Sequence, residues 1–542
     1  MLPTLCVVAA GMLFLQPANA QHEHGGGGAD GVPIYTTLGN HGHEISTDSP
    51  EAQVFFNQGL KLQYAFNHAE AIRSYEKALS YDGECAMCWW GIALAYGPNI
   101  NAPMDEESGR KAFEAINNAK GLSSGATATE RGLIDALANR YAADPLSERA
   151  PLNAAYADAM AKQAAAFPDD ADVQTLYAAS LMNKNPWNYW SGGYGDRKPN
   201  PGTPEALASL ERALELDRHN PGACHYYIHA VEAAYPERAV ECAERLAGLM
   251  PGAGHIVHMP GHIYIRVGRY RDAVTANDHA VHTDEEFIAD QSPMGLYPMA
   301  YYPHNYHFMS FAATLAGMSE KATMAAEAVA PKVPTDIALV AIFIQNAVVL
   351  PQLTAVTFGE WERVLEYPLP DERLGLATAG AHYARGTAFA ALGNAKSAAD
   401  EAALLDEVAK EFDPTGENAV FRIAKLALAG EMALRSGDAE SAVESFQAAA
   451  ELEDGMLYEE PPLWYYPVRH SLGKALLAAE RPADAEAAYR YDLERFPGNG
   501  WSLFGLAQSL DEQGKEADAA KVRAEFEKAW EHADVTLTSS RF

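Results

Sequence analysis

Basic residues are scarce in this sequence. Its 40 lysines and arginines face 73 aspartates and glutamates, which gives a formal net charge of −33 at pH 7. A chain with this charge repels nucleic acids and anionic membrane surfaces, so neither is expected as a partner. Cationic ligands and metal ions are attracted instead.

Long apolar runs are also missing, with one short exception. No segment approaches the ~20 apolar residues that a helix needs to cross a bilayer. The exception, residues 5–15, precedes Ala18, Asn19 and Ala20 and is typical of a secretory signal, although no Lys or Arg stands near its start. We therefore expect a signal peptide at 1–20, cleavage before Gln21, and export to the periplasm or the medium.

Familiar catalytic motifs are absent from the sequence as well. It contains no Gly-rich phosphate loop, no nucleophile elbow and no His-Glu-x-x-His motif. Cysteine is scarce too: 5 are present, and the predicted cleavage leaves Cys85, Cys88, Cys224 and Cys242. An even number is compatible with disulfides outside the cytoplasm. The Cys-x-x-Cys spacing of the first two predicts a small disulfide, with metal ligation or redox work as alternatives.

What the sequence does contain is a repeat with fixed internal spacing. From Gly261, Tyr264 follows after three residues, Gly268 after seven, Ala273 after twelve and Ala280 after nineteen. Similar offsets start at Gly59, Gly386, Gly430, Gly473 and Ala507. A small residue on one helix lets a second helix approach closely, while aromatic and leucine side chains fill the space around it. Such self-similarity predicts stacked helix hairpins.

This pattern resembles that of the tetratricopeptide repeat (TPR) family, whose unit has about 34 residues. The interval between Tyr227 and Gly261 has this length, with Ala239 and Pro251 at matching places. The resemblance implies an all-α fold, a right-handed α-solenoid of TPR-type helix hairpins at 51–535. Segments 85–101, 224–232, 258–268 and 301–308 are similar to those of long exported bacterial TPR proteins, themselves distantly similar to tetratricopeptide repeat protein 38. That likeness implies no activity.

Two short segments flank the predicted solenoid. Residues 21–50 are polar and rich in Gly and His, a composition typical of a disordered leader. Such a leader can collect metal ions without forming a defined site. Residues 536–542 are expected to form a C-terminal tail.

Six histidines occur in three short pairs within successive repeat units: His225 and His229, His258 and His262, and His304 and His307. The family resemblance implies that positions six and three before the small residue, and one after it, line the inner face of the array. Relative to Gly261, the second pair and His255 occupy such positions. The third pair does so relative to Ser310, whereas the first pair is one residue out of phase.

Histidine pairs at this spacing present two ligands to one ion, and imidazoles without thiolates suit copper or zinc. We therefore predict that the three pairs bind a transition metal, copper or zinc, in the concave groove. Glu232, one turn after His229, is a candidate to orient a ligand or to act as a base. Pro260 disfavours helical backbone at Met259, so His258 and His262 are not certain to share a face.

The loop at 185–195 is unusually aromatic. Trp187, Tyr189 and Trp190 are predicted to fold over the groove as a lid or, equally, to cap a hairpin. Three functions remain open at this stage. The first is an exported solenoid that binds a protein or small molecule in its groove and carries a metal at mid-array. The others are a copper- or zinc-dependent enzyme and a metal-free peptide-binding scaffold.

Overall fold

The computed structural model describes residues 31–291, 293 and 296–542. The predicted signal peptide at 1–20 and the start of the leader at 21–30 lie outside these residues. Seven helices form the first third of the array: α1 (Pro50–Tyr64), α2 (His68–Tyr81), α3 (Ala86–Tyr96), α4 (Glu106–Leu122), α5 (Ala128–Ala138), α6 (Arg149–Ala166) and α7 (Ala171–Met182). A short antiparallel hairpin of β1 (Trp190–Ser191) and β2 (Lys198–Pro199) follows, with Trp190 opposite Pro199.

The middle of the array carries the histidine pairs. Its helices are α8 (Thr203–Leu216), α9 (Pro221–Val231), α10 (Val240–Leu249), α11 (Gly254–His258), α12 (Pro260–Arg266), α13 (Tyr270–Gln291), α14 (Tyr302–Leu315), α15 (Ser319–Val329), α16 (Thr335–Val340), α17 (Gln345–Thr357) and α18 (Trp361–Glu366). A π-helical turn, Tyr297–Tyr301, leads into α14.

The last third continues with α19 (Gly375–Ala391), α20 (Ala395–Phe412), α21 (Ala419–Ser436), α22 (Ala439–Asp454), α23 (Arg469–Ala478), α24 (Pro482–Arg495), α25 (Gly500–Glu512) and α26 (Glu516–Ala529). The predicted fold class is confirmed: the chain is an all-α solenoid of TPR-type helix hairpins. Among the described residues, no helix combines the length and the apolar character needed to span a membrane.

The small residues of the repeat explain the pairing of the helices. A Cβ added to Gly59 or to Gly91 would come within 2.5 or 2.6 Å of the Tyr75 ring, which packs between them. In a later unit, a Cβ on Gly473 would meet the ring of Tyr489 at 2.2 Å. The aromatic ring of one helix therefore occupies the space that glycine leaves open on its neighbour, as the spacing predicts.

The C-terminal repeats pack back against the middle of the array. Tyr270 donates from its hydroxyl to the carbonyl of Pro497 at 2.9 Å, and the Trp501 indole donates to the carbonyl of Thr314 at 2.9 Å. The Arg266 guanidinium reaches the carbonyl of Arg495 at 3.4 Å. Successive units of a solenoid normally contact only their neighbours. These contacts instead join units more than 180 residues apart in the sequence.

Both ends of the described chain are held against the helices. In the segment expected as a leader, His41 and His43 each place a ring nitrogen 3.1 Å from a carboxylate oxygen of Asp172. In the expected tail, the Phe542 carbonyl accepts from Lys474 at 3.0 Å, and Arg541 is buried. Residues 31–49 and 536–542 therefore form part of the folded surface, because buried polar partners fix them.

Candidate metal centre

Four helices bring the candidate ligands together. Helix α9 carries His225 and His229, and its N-terminus is capped by the buried side chain of Asn220. Helices α11 and α12 carry the next histidines, and α14 carries His304. The helices break at Pro260, as the sequence predicts, but Met259 keeps right-handed helical angles, with φ −51° and ψ −35°. Helices α11 and α12 therefore remain nearly continuous, and His258 and His262 lie on the same side of them.

The first group of three imidazoles joins α9 to α11. Nε2 of His225 lies 3.2 Å from Nε2 of His229 and 3.1 Å from Nε2 of His255. All three side chains are buried, with at most 3% of each residue exposed. One ligand atom from each lies within 4.8 Å of the other two, which is close enough to hold one metal ion.

The second group joins α11, α12 and α14. Nε2 of His258 lies 2.8 Å from Nε2 of His262, and the ring of His304 has its centroid 4.9 Å from that of His258. Their ligand atoms also lie within 4.8 Å of one another. Phe308 packs on the rings of His258 and His262 at 4.7 and 4.4 Å, which shields this group on one side.

Glu232 connects the two groups. Its Oε1 accepts from Nδ1 of His229 at 3.0 Å, and its Oε2 accepts from Nδ1 of His262 at 2.5 Å. Although burial alone would raise the pKa of this carboxyl, the two imidazoles hold it at about 2. Glu232 is therefore a carboxylate that accepts two hydrogen bonds and fixes the orientation of one ligand in each group.

The other ring nitrogens show where the imidazole protons lie. Nδ1 of His225 is 2.6 Å from the carbonyl of Tyr64, and Nδ1 of His258 is 2.6 Å from Oδ1 of Asn277. The amide nitrogen of Asn277 donates to the carbonyl of Ala273, so its oxygen is free to accept. Because carbonyl and carboxylate oxygens only accept, these Nδ1 atoms carry the hydrogens.

Burial favours the neutral form of several of these imidazoles. Burial, followed by the neighbouring His229, lowers the pKa of His225 well below the usual value, and burial similarly lowers those of His255, His258 and His304. The Nε2 atoms of neutral rings that are protonated on Nδ1 have no hydrogen and present a lone pair. Neutral imidazole is also the form that binds metals.

The site differs from the predicted ligand set at two positions. His255 belongs to the first group, although only its place in the repeat, six residues before Gly261, pointed to it. His307 lies outside both groups, and burial lowers its pKa to about 4.

His225, His229, His255, His258 and His262 lie inside the protein rather than on the open concave surface expected from the sequence, whereas His304 is half-buried. Phe66, which adopts a left-handed backbone with φ 57°, inserts its ring from the turn between α1 and α2. It contacts the rings of His225 and His255 at 4.4 and 5.5 Å. Tyr301 also packs on His255, at 4.6 Å, and its ring contacts that of Phe66 at 6.4 Å. Aromatic residues that are distant in the sequence therefore enclose the two histidine groups, and this enclosed space is called the chamber below.

The aromatic loop contributes one residue to this cover. The Trp187 ring meets His229 edge-on at 5.0 Å, and 37% of its surface is exposed. Asn101 accepts from the Trp187 indole at 3.1 Å and donates to the Tyr301 hydroxyl at 3.0 Å, so it holds both rings. Trp190 instead donates to the Ala230 carbonyl at 2.8 Å and, like Tyr189, is buried in the hairpin. Trp187 therefore lies beside the histidines, whereas Tyr189 and Trp190 are buried away from them.

The cysteines stand apart from the histidine chamber. Cys85 and Cys88 form a buried disulfide at the start of α3. Cys224 and Cys242 are buried free thiols. The two three-histidine groups therefore contain only imidazoles, and Glu232 lies close enough to His229 and His262 to hold an ion together with them.

A buried acid supports the chamber from behind. Asp284 accepts hydrogen bonds from the Tyr297 hydroxyl and the Asn305 amide, each at 2.8 Å, and the Tyr297 hydroxyl in turn accepts from the amide of His255 at 3.1 Å. Burial raises the pKa of Asp284 to about 7. The folded protein therefore binds this proton more tightly than the unfolded chain does.

The change Asp284→Asn is expected to stabilise the protein at high pH. Because the folded-state pKa is raised, wild-type stability is greatest below the unfolded pKa of ~3.9 and falls until the pH passes about 7. The neutral amide has no such loss, and it can pair with Oδ1 of Asn305, which is buried without a partner. Urea denaturation should show the variant gaining on wild type, by on the order of a few kcal/mol, between pH 5 and pH 8.5. A constant difference between the two pH values would contradict this account.

The fold and the chamber together define a helical-repeat protein with two adjacent three-histidine groups. No family model and no curated protein matches the chain. Solved helical structures are similar at low identity. The human IFIT1 dimer with m7Gppp-AAAA is 12% identical, with 91% of this chain and 92% of that chain covered and a TM-score of 0.33. Yeast Tom70 is 13% identical, with 89% and 92% covered and a TM-score of 0.28.

A third structure, Naa15/Naa10 bound to HypK-THB, is 14% identical and has a TM-score of 0.24, with 89% of this chain and 72% of that chain covered. The case for a metal centre therefore rests on the geometry of this chain alone.

Proposed function

We propose that this protein binds two transition metal ions, copper or zinc, in adjacent three-histidine centres that share Glu232 as an outer partner. One observation carries the proposal. Within each group, hydrogen-free Nε2 atoms face one another at 2.8–3.2 Å. Two lone pairs at that distance repel each other. Burial lowers the pKa of His225 and of His258, which disfavours a charged imidazolium at these two rings. A metal cation between the nitrogens relieves the repulsion.

The spacing also matches metal ligation. Two imidazole nitrogens bound at ~2.0–2.1 Å to one ion, at angles of about 90–110°, lie roughly 2.9–3.4 Å apart. The observed separations within the first group are 3.2 and 3.1 Å. Each Nδ1 that would orient a ligand already donates to an oxygen in His225, His229, His258 and His262. Ligands held in this way favour copper or zinc, because neither three-histidine group contains a thiolate or a carboxylate.

Metal content is the direct test. Protein purified without an affinity tag is expected to carry close to two equivalents of copper and zinc combined, measured by inductively coupled plasma mass spectrometry. Dialysis against a chelator and reloading with each metal alone identifies which one restores the full content. Background metal after reloading would exclude this proposal and favour the metal-free scaffold that binds a peptide.

A second candidate function is a metal-dependent enzyme, favoured by the number of ligands. Three histidines per ion leave a coordination position for water or substrate, as catalytic zinc sites do. Trp187 covers His229 while remaining partly exposed, which places a small movable cover next to that position. Excluding water is one role for such a cover.

Azide is expected to bind the copper-loaded protein and to change its visible absorption, because an open position accepts a small anion. Trp187→Ala should speed this binding by removing the cover, whereas Trp190→Phe should leave the rate unchanged. Trp190 donates to Ala230 in the hairpin instead of facing the chamber. An absorption spectrum that azide leaves unaltered would indicate closed centres and a storage or structural role.

Export is part of the proposal. A signal peptide at 1–20 would deliver the chain to a compartment where the Cys85–Cys88 disulfide persists. A protein or small-molecule partner bound by the outer surface of the array also remains a proposal.

A further inference from the structure

A separate cavity lies between the β1–β2 hairpin and the segment that joins α22 to α23. Its polar lining includes Tyr194, Arg197, Arg266, Tyr458, Glu460 and Arg495. About 30 Å³ of it is available to the centre of a water molecule, the space of roughly two waters. A ligand there is consequently limited to a few non-hydrogen atoms.

Two of the arginines have no carboxylate partner among the described residues. Arg197 and Arg266 both stack on the Tyr458 ring, at 5.2 and 5.6 Å from its centroid. Arg266 donates only to main-chain carbonyls, those of Glu232 at 3.3 Å and Arg495 at 3.4 Å. Nε of Arg197 is buried and has no hydrogen-bond partner. An unpartnered buried guanidinium nitrogen is costly, so a ligand that accepts from it is favoured.

The acidic residues around the cavity do not cancel this positive charge. Asp454 is held by two hydrogen bonds from Arg469, at 2.8 and 2.7 Å. Burial raises the pKa of Glu453 and of Glu460 to about 7. One oxygen of Glu460 accepts from the Tyr458 hydroxyl, and the other is buried without a partner. Burial also raises the pKa of Glu459. Two guanidinium groups therefore face a space in which Glu453 and Glu460 are mostly neutral below pH 7, while Asp454 is paired with Arg469.

We propose that this cavity binds a small carboxylate, of the size of formate or acetate, between Arg197 and Arg266. The planar guanidinium donors match a carboxylate in geometry and charge. Tetrahedral oxyanions such as phosphate carry more atoms than the space accepts. The site is independent of the metal centre, although Arg266 connects the cavity to the main chain of Glu232.

Isothermal titration calorimetry of the full-length protein with acetate tests the site. Wild type is expected to bind one acetate, and Arg197→Gln to bind it at least ten-fold more weakly. Arg212→Gln is the matched control, because this exposed arginine pairs with Asp169 and Glu215 far from the cavity. Glu460→Gln keeps the length of the side chain, is neutral at every pH and should bind acetate at least as tightly as wild type.

Three results would overturn the assignment: no acetate binding by wild type, equal binding by wild type and Arg197→Gln, or tighter binding of inorganic phosphate than of acetate. Metal content is measured on the same samples and is expected to be equal in wild type and Arg197→Gln. If acetate does not bind but the metal content is intact, only the cavity proposal fails. If metal is absent but acetate binds, only the metal proposal fails.

Discussion

Replacing Glu232 with glutamine is expected to weaken metal binding at both three-histidine centres. Its two oxygens accept from Nδ1 of His229 and of His262, one in each group. A glutamine side chain has one acceptor oxygen, and its NH₂ group cannot accept a hydrogen bond from Nδ1. One imidazole therefore loses its orientation, and both centres lose the negative charge that offsets the ions.

The loss of an outer partner of this kind typically lowers metal affinity ~10–100-fold. The measurement is the metal retained by Glu232→Gln after dialysis against graded chelator concentrations. Glu401→Gln is a matched control, since Glu401 is also buried and accepts from Nδ1 of His382 at 2.7 Å and from Arg385 at 2.7 Å in another repeat. It should retain metal as wild type does. Equal retention by Glu232→Gln and Glu401→Gln would show that Glu232 has no role at the centres.

The second large effect is expected from substitutions that remove one proposed centre at a time. His225→Ala should remove one equivalent of metal, because His225 lies within 3.2 Å of both His229 and His255 and connects the first group. His258→Ala should remove the other equivalent, because His258 contacts His262 at 2.8 Å and its ring meets that of His304 edge-on at 4.9 Å. The double variant should bind none, with helical circular dichroism preserved in each protein.

His470→Ala is the control for the loss of a buried histidine, because His470 bonds Asp492 at 3.1 Å away from both groups. It should keep both equivalents. If either single variant loses all the metal, the two groups share one ion rather than holding two. The proposed metal content would then be one ion for the two groups together, and the proposed site would stand.

The repeat was readable from the sequence because its small residues are packing positions. Gly59, Gly261 and Gly473 stand where a neighbouring side chain needs space, so their spacing records the helix contacts directly. The convergence of the histidine pairs was predicted for the same reason, since equivalent positions in successive units share a face. His255 was visible at one of these positions but was not included among the predicted ligands.

The enclosure of the site could not be read from the sequence. Phe66, Tyr64 and Asn277 reach the histidines through contacts that depend on how the array curves. The packing of 495–501 against α12–α14 depends on the same curvature. Local spacing specifies which residues share a helix face, but the accumulated rotation from unit to unit decides which distant units meet. The cavity formed by the hairpin and the 454–464 segment likewise depends on this accumulated rotation and could not be predicted from local spacing.

The hydrogen bond from His225 to the carbonyl of Tyr64 spans 161 residues of sequence. An array of independent repeats could form its middle units before its first ones were in place. Here a ligand of the first centre takes its orientation from the first hairpin, and Phe66 from the same turn covers it. Under the proposed function, tight metal capture is therefore expected only of the completed chain. A nascent or partly unfolded array presents its histidines without the enclosing side chains, so an ion bound there is expected to exchange freely.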